Sequence, residues 1–207
     1  MKKLYILMIM LLLISACSKA EDYGAKAFEN KDYIKAYALS VKGCKDKNGE
    51  ACYILANIYN GGLARQQDQL EAARYYIKAC DIGNGRACYM VGKLYSKSNI
   101  VQQDKDQSES YFRKSNKILI KECSLGNAES CLYAGALYLY SLGVPHDSSK
   151  AMEFFEKSCQ LNYGAGCYTI AYLLKQGSYD VAQDINRAKT YFDKACSLGY
   201  EDACKEN

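Results

Sequence analysis

One spacing recurs five times along the chain. Two cysteines stand with seven residues between them at Cys44/Cys52, Cys80/Cys88, Cys123/Cys131, Cys159/Cys167 and Cys196/Cys204. The first cysteines of these pairs are 36, 43, 36 and 37 residues apart. A period of this length is the mark of stacked like units, each burying its apolar face against the next rather than around one central core. Of the eleven cysteines only Cys17 lies outside the pattern.

Aligned on the cysteines, the copies read as helix, turn, helix. The helix leading into four of the pairs begins at an aspartate, Asp68, Asp104, Asp147 or Asp184. Aspartate is a good N-cap because its carboxylate accepts the free amides of the first turn. Asp68 with Glu71 has capping-box spacing. Seven residues after each aspartate comes an aromatic pair: Tyr75-Tyr76, Tyr111-Phe112, Phe154-Phe155 and Tyr191-Phe192. Ala72, Ala151 and Ala188 sit one turn back on the same side. Turn residues follow: Ile82-Gly83-Asn84, Leu125-Gly126-Asn127, Leu161-Asn162-Tyr163 and Leu198-Gly199-Tyr200. Gly or Asn just past a helix end takes the left-handed conformation at little cost.

The next helix starts near the second cysteine. Its positions +3, +4, +6 and +7 read Leu55, Ala56, Ile58 and Tyr59 in the first copy. The later copies read Val91, Gly92, Leu94 and Tyr95, then Ala134, Gly135, Leu137 and Tyr138, then Ile170, Ala171, Leu173 and Leu174. This spacing is a helical core stripe, and the small residue at +4 lets helices approach closely. A single proline in 207 residues agrees with long helices rather than a turn-dense β fold. The expected fold is all-α: one repeat domain over residues 17–207, with helix pairs at about 19–46, 50–82, 85–124, 128–161 and 164–204. The last helix is only a stub after Cys204. The third copy carries seven extra residues between Tyr111-Phe112 and Cys123, about two helical turns. They predict a longer helix over about 105–124, buried with the help of Ile118, Leu119 and Ile120; the alternative is a surface bulge.

Each cysteine pair straddles one tight turn between antiparallel helices. Such helices can bring Cα atoms to about 5.5–6 Å, as a disulfide requires. Five repetitions of one spacing favour local pairing over any mixture. A loop this short gives about 2–3 kcal/mol per bridge in the chain-entropy model. Zinc or redox sites fit poorly: His146 is the only histidine, and no Cys-x-x-Cys occurs. No metal or cofactor is expected.

The N-terminus gives the address. Met1-Lys2-Lys3 is a positive start, and Leu4 to Ile14 is an apolar run of eleven residues. That is too short to span a bilayer, which takes about 20 residues. Ile14-Ser15-Ala16-Cys17 resembles the lipobox of bacterial lipoproteins. The resemblance implies a signal peptide over residues 1–16 and a lipid on Cys17, the cysteine left over from the five pairs. Ser18, rather than Asp, implies the outer membrane. The alternative is an ordinary signal peptide and secretion. Removing Lys2 and Lys3 takes the net charge from +4 to +2, with no Lys/Arg cluster, so nucleic acid is not an expected partner.

The run Ala188…Tyr191-Phe192-x-Lys194-Ala195-Cys196-x-x-Gly199…Ala203-Cys204, with Gly143-Val144-x-x-Asp147 and the stripe of the second helix, resembles Sel1-like repeats, relatives of tetratricopeptide repeats. The cysteines at the end of one helix and the start of the next resemble those of the Helicobacter cysteine-rich protein family. The resemblance covers about residues 20–204. It implies a right-handed α/α superhelix with a concave face, and an adaptor for proteins or peptides. It also implies, as an alternative, the penicillin-binding or weak β-lactamase activity attributed to some members, with β-lactams or peptidoglycan fragments as partners.

The residues supply no catalytic motif for that alternative. No Ser-x-x-Lys occurs, and Lys189-Thr190 is followed by Tyr191 rather than Gly. His146, between Pro145 and Asp147, reads as a loop residue before a helix cap. Function is therefore sought on the concave row of second helices. Their columns at +2 and +5 vary between copies: Ile54/Asn57, Met90/Lys93, Tyr133/Ala136 and Thr169/Tyr172. Variation at solvent-facing positions beside constant core columns suits a ligand surface, and tyrosine supplies area plus a polar tip.

Overall fold

The computed structural model describes residues 22–206. Residues 1–16, Cys17 and the start of the first expected helix lie outside them. The elements are α1 (Ala25–Glu29), α2 (Tyr33–Lys45), α3 (Gly49–Gly61), α4 (Gln69–Ile82), α5 (Gly85–Lys97), α6 (Lys105–Ser124), α7 (Ala128–Leu139), α8 (Ser148–Gln160), α9 (Gly164–Gln176), α10 (Ile185–Ser197) and a 3-10 helix, Glu201–Lys205. Each helix packs mainly on its neighbours in sequence, as in a right-handed α/α solenoid. The second-type helices α3, α5, α7 and α9 form the inner row; α4, α6, α8 and α10 form the outer one.

The caps fall where the sequence puts them. Asp68 accepts from the amides of Leu70 and Glu71 at 3.0 and 2.9 Å. Asp104, Asp147 and Asp184 each accept one amide three residues on, at 2.9 Å. The turns use positive φ at Gly83 (109°), Gly126 (92°), Asn162 (63°) and Gly199 (84°). Asn84 and Asn127, read above as turn residues, also cap the next helix. So does Asn48. Their side chains accept from Ala87, Ser130 and Ala51 at 2.8–2.9 Å. The fourth copy has Tyr163 there, and its side chain makes no cap bond.

The small +4 residues are required by packing. A Cβ on Gly92 would stand 2.7 Å from the Phe112 ring, and one on Gly135 2.5 Å from Phe155. Ala56 and Ala171 at the same position are fully buried.

All five disulfides are present. The Cα–Cα distance is 4.7 Å in Cys44–Cys52, Cys123–Cys131 and Cys159–Cys167. It is 4.6 Å in Cys80–Cys88 and 4.9 Å in Cys196–Cys204. The expected 5.5–6 Å is therefore corrected downward. The physical reason is the brevity of the turn. Only two or three residues separate one helix from the next at the first four clips, so the second cysteine starts its helix directly against the last turn of the one before. The Cys52, Cys88, Cys131 and Cys167 sulfurs lie 3.7, 3.6, 3.8 and 3.8 Å from the carbonyl oxygens of their own partner cysteines.

Burial sets four of the clips apart from the fifth. Cys52, Cys88, Cys131 and Cys167 are 0% exposed, and their partners Cys44, Cys80, Cys123 and Cys159 at most 2%. These eight cysteines are interior residues, and six of them belong to the two larger apolar clusters. The fifth clip differs: Cys196 is half-buried and Cys204 is exposed.

The long helix of the third copy is continuous, 20 residues from Lys105 to Ser124, and no bulge interrupts it. Its extra turns lie at the clip end. Ser158 of α8, one residue before Cys159, donates to the carbonyl of Ala128 at the start of α7, at 2.8 Å. Ser115 of α6 makes the same contact with Gly85 at the start of α5, also at 2.8 Å, but eight residues before Cys123. The seven added residues therefore follow the contact and run past the start of α5. Leu119 is fully buried, and Ile118 and Ile120 are half-buried.

The first pair departs from expectation. Residues 22–24 are not helical, and α1 covers only Ala25–Glu29. Gly24 breaks the run with φ 98°, and a Cβ there would meet the Ala36 carbonyl at 2.8 Å. The chain must bend there so that α1 can lie on α3.

Candidate binding face

Each inner helix starts three residues before its clip cysteine, and its second residue occupies one register position in every copy. Those residues are Glu50, Arg86, Glu129 and Ala165 in successive copies. The first three form one network. The Arg86 guanidinium is paired with the Glu50 carboxylate through one nitrogen and with the Glu129 carboxylate through another. It lies over the Tyr53 ring, 4.5 Å from its centre. The Asn84 amide donates to Glu50 at 3.0 Å. One arginine thus ties together helices from three consecutive copies.

The electrostatics follow from burial. The Arg86 side chain is only 12% exposed. Desolvation works against its charge, but Glu50 and Glu129 outweigh it, so the guanidinium is held firmly charged. Burial pushes the Glu129 carboxyl above the ordinary glutamate range, with Arg86 pulling the other way. Two carboxylates face one guanidinium, so the cluster holds an excess of negative charge.

Tyrosines extend the network. Burial raises the pKa values of both Tyr53 and Tyr133. The Tyr133 ring meets Tyr89 edge-on at 5.1 Å, and Tyr89 meets Phe112 at 5.7 Å. Tyr76 donates to the Asn57 side chain at 2.7 Å. Around this frame opens a cavity of about 840 Å³. Its walls include Phe28 and Tyr33 from the first pair, Tyr53 and Asn57 from α3, Arg86, Glu129 and Tyr163. The Tyr163 hydroxyl is pushed up to about 12 by burial. A second, smaller cavity of about 330 Å³ lies along the C-terminal half of α5, against α6 and the end of α7.

The residues singled out from the +2 and +5 columns divide. Asn57 lines the large cavity and Lys93 the small one. Tyr133 is half-buried and in ring contact with Tyr89. Tyr172 is 48% exposed and stacks on Tyr168. Met90 is half-buried against the core of α3–α5. Thr169 donates to the Ala165 carbonyl of its own helix at 2.8 Å. Ile54 is a correction. It is 2% exposed and packs with Ala27 and Ile58, because α1 lies over it, so it faces the cavity floor rather than solvent. His146 is held by a loop contact. Its Nδ1 lies 2.9 Å from the Leu139 carbonyl, and its Nε2 lies 3.3 Å from Asp180. Neither nitrogen is paired with a serine hydroxyl. The column missed in the sequence is the one two residues before the clip cysteine. Its signal was present: charge alternating Glu, Arg, Glu at one register position.

The Sel1 repeat profile matches residues 49–84, 85–117, 128–163 and 164–200. No curated protein sequence matches the chain. Among solved structures, a Sel1 repeat protein from Oxalobacter formigenes superposes with a TM-score of 0.58 at 22% identity, over 87% of this chain and 70% of that one. A Sel1 repeat protein from Klebsiella pneumoniae gives 0.56 at 18%, over 91% and 92%. Helicobacter pylori cysteine rich protein B aligns over 66% of this chain and 92% of its own, at 26% identity, with a TM-score of 0.42. The first two likenesses, at these identities, speak for the fold alone. The repeat profile, matched four times over most of the chain and in register with the helix pairs, places the protein in the Sel1 repeat family, whose members generally serve as scaffolds for protein interaction.

Proposed function

We propose that the protein is a lipid-anchored, extracytoplasmic scaffold that binds a segment of a partner protein on its concave face. The observation that carries this is the cavity of about 840 Å³ among Phe28, Tyr33, Tyr53, Arg86 and Tyr163. It combines aromatic area with fixed polar groups, the composition that favours protein partners. The five disulfides suit an oxidising compartment. The lipobox-like run ending at Cys17 supplies the route there and the anchor, with outer-membrane placement following from Ser18. The β-lactam reading gains no support from the geometry around His146.

Crosslinking in the native envelope, followed by mass spectrometry, tests the scaffold reading. Partner crosslinks are expected at Lys31 and Lys93, on the concave side, and are expected to weaken in Tyr33→Ala. Crosslinks confined to outer-helix lysines such as Lys78 would contradict it. The anchor is tested separately: Cys17→Ala should release the protein from the membrane fraction, and retention there would contradict lipidation.

A further inference from the structure

The smaller cavity differs from the large one in charge. It is lined by Tyr89, Phe112, Tyr140 and Leu142, with Lys93 and Lys97 at its edge. The two lysines stand one helical turn apart on α5, and no carboxylate among the described residues lies within ion-pair distance of either. Lys93 lies 5.8 Å from the centre of the Tyr89 ring. Three other lysines, in contrast, are ion-paired: Lys114 with Asp81, Lys150 with Asp147 and Lys175 with Glu206. No acidic residue lines this cavity, whereas Glu29, Glu50 and Glu129 line the large one.

Two unpaired ammonium groups beside an aromatic slot ask for a carboxylate carried next to an apolar side chain. The slot, about 330 Å³, has room for an aromatic or aliphatic side chain, and the ammonium groups can each make a charge-assisted hydrogen bond to the acid. We infer that this cavity is a binding subsite for an acidic segment of a partner polypeptide, in which Asp or Glu side chains adjoin a large apolar residue. The inference rests on the scaffold reading and names the chemistry that one part of the face selects.

The test is fluorescence anisotropy on the oxidised mature chain. The probe is a fluorescein-labelled, C-terminally amidated hexapeptide containing two Glu beside Phe and Leu. Its counterpart replaces both Glu with Gln. The acidic probe is expected to bind about tenfold or more tightly than the Gln probe, and the gap should shrink with salt. A Lys93→Glu/Lys97→Glu variant is expected to abolish the difference, while Lys150→Glu, on α8, leaves it intact. Circular dichroism on both variants excludes misfolding as the cause. Equal binding of the two probes, or an unchanged gap in the α5 variant, overturns the inference. So does capture of anionic phosphatidylglycerol vesicles by the same lysines without peptide binding. If native crosslinking still finds a partner on the concave face while the acidic probe fails, the scaffold reading stands and this inference alone falls.

Discussion

The inner faces of α5 and α9 occupy equivalent places in the repeat and do different things. On α5 the residue two before the clip cysteine is Arg86, which gathers Glu50 and Glu129 from the copies on either side. On α9 it is Ala165. There the inner face closes on itself: Tyr168 packs against Phe192, Tyr172 and Tyr200, at ring-centre distances of 5.7, 6.5 and 4.8 Å. The backbone frame is the same, with the same clip and a small residue at +4, Gly92 or Ala171. The ring contact itself is shared, since Tyr89 meets Phe112 on α5 as Tyr168 meets Phe192 on α9; what α5 adds is the charged residue two before the clip cysteine. A repeat of this kind separates the task of stacking, done by the buried columns, from the task of recognition, left to a few positions that can change without disturbing the stack.

That contrast can be broken most severely at Arg86. Arg86→Ala leaves two carboxylates facing each other in a partly dry site, and urea denaturation should show a loss of about 3 kcal/mol. Replacing all three residues, as Glu50→Gln/Arg86→Met/Glu129→Gln, should cost less than Arg86→Ala alone, because no charge is then stranded. A triple variant less stable than the single would show that packing, not charge balance, holds the network.

The clips read the same difference between an interior copy and an end copy. Removing the buried Cys80–Cys88 bridge as an alanine pair should cost about 2.5 kcal/mol. Removing Cys196–Cys204 should cost less, because the 3-10 helix it tethers can open without unfolding the copies before it. Differential alkylation under mild reductant should label Cys204, which is exposed, before any cysteine of the four buried clips. Smaller still, Tyr168→Ala should lose about 1 kcal/mol of ring contact and should add to Arg86→Ala without coupling, since three helices lie between α5 and α9.

The smallest effect is one of pH. Burial holds the folded Glu129 pKa above its unfolded value, with Arg86, Glu50, Glu29 and Glu122 acting on it as charges. The folded state therefore keeps its proton to higher pH than the unfolded chain does. This group's contribution is greatest below the ordinary glutamate pKa and is lost as pH rises through the raised folded value. Glu129→Gln should flatten that part of the stability–pH curve. An unchanged curve would show that Arg86 compensates the carboxylate fully.

The architecture was legible because it is written many times. Asp caps, the aromatic pair, the Gly or Asn turn and the +4 small residue recur in each copy, so errors in one are corrected by the others. The two-turn extension of α6 could be read from its length, since seven residues return a helix to nearly the same face. The cysteine pairing was legible from its spacing, but the depth of Cys52, Cys131 and Cys167 was not, because burial depends on tertiary packing that a spacing does not carry. The candidate site was only partly legible. Asn57, Lys93 and Tyr133 were found by asking which columns vary, but Ile54 was misread because nothing in its own helix reveals that α1 lies over it. The Glu50–Arg86–Glu129 network was missed because each member, taken alone, looks like a solvated residue in the first turn of a helix. Only their common register, together with the lateral spacing of α3, α5 and α7, brings them within reach of one guanidinium. The short α1 was likewise missed, since it depends on a bend at Gly24 that tertiary packing imposes.

The central claim is that the cavity beside Arg86 is where the partner sits. Site-specific photocrosslinking in intact cells tests it most directly, with a photoreactive residue in place of Tyr33 at the cavity rim and, in a separate variant, in place of Lys78 on the outer helix α4. A discrete protein adduct from the Tyr33 position and none from the Lys78 position is the predicted result. An adduct only from Lys78 would contradict the account and move the binding surface to the outer helices.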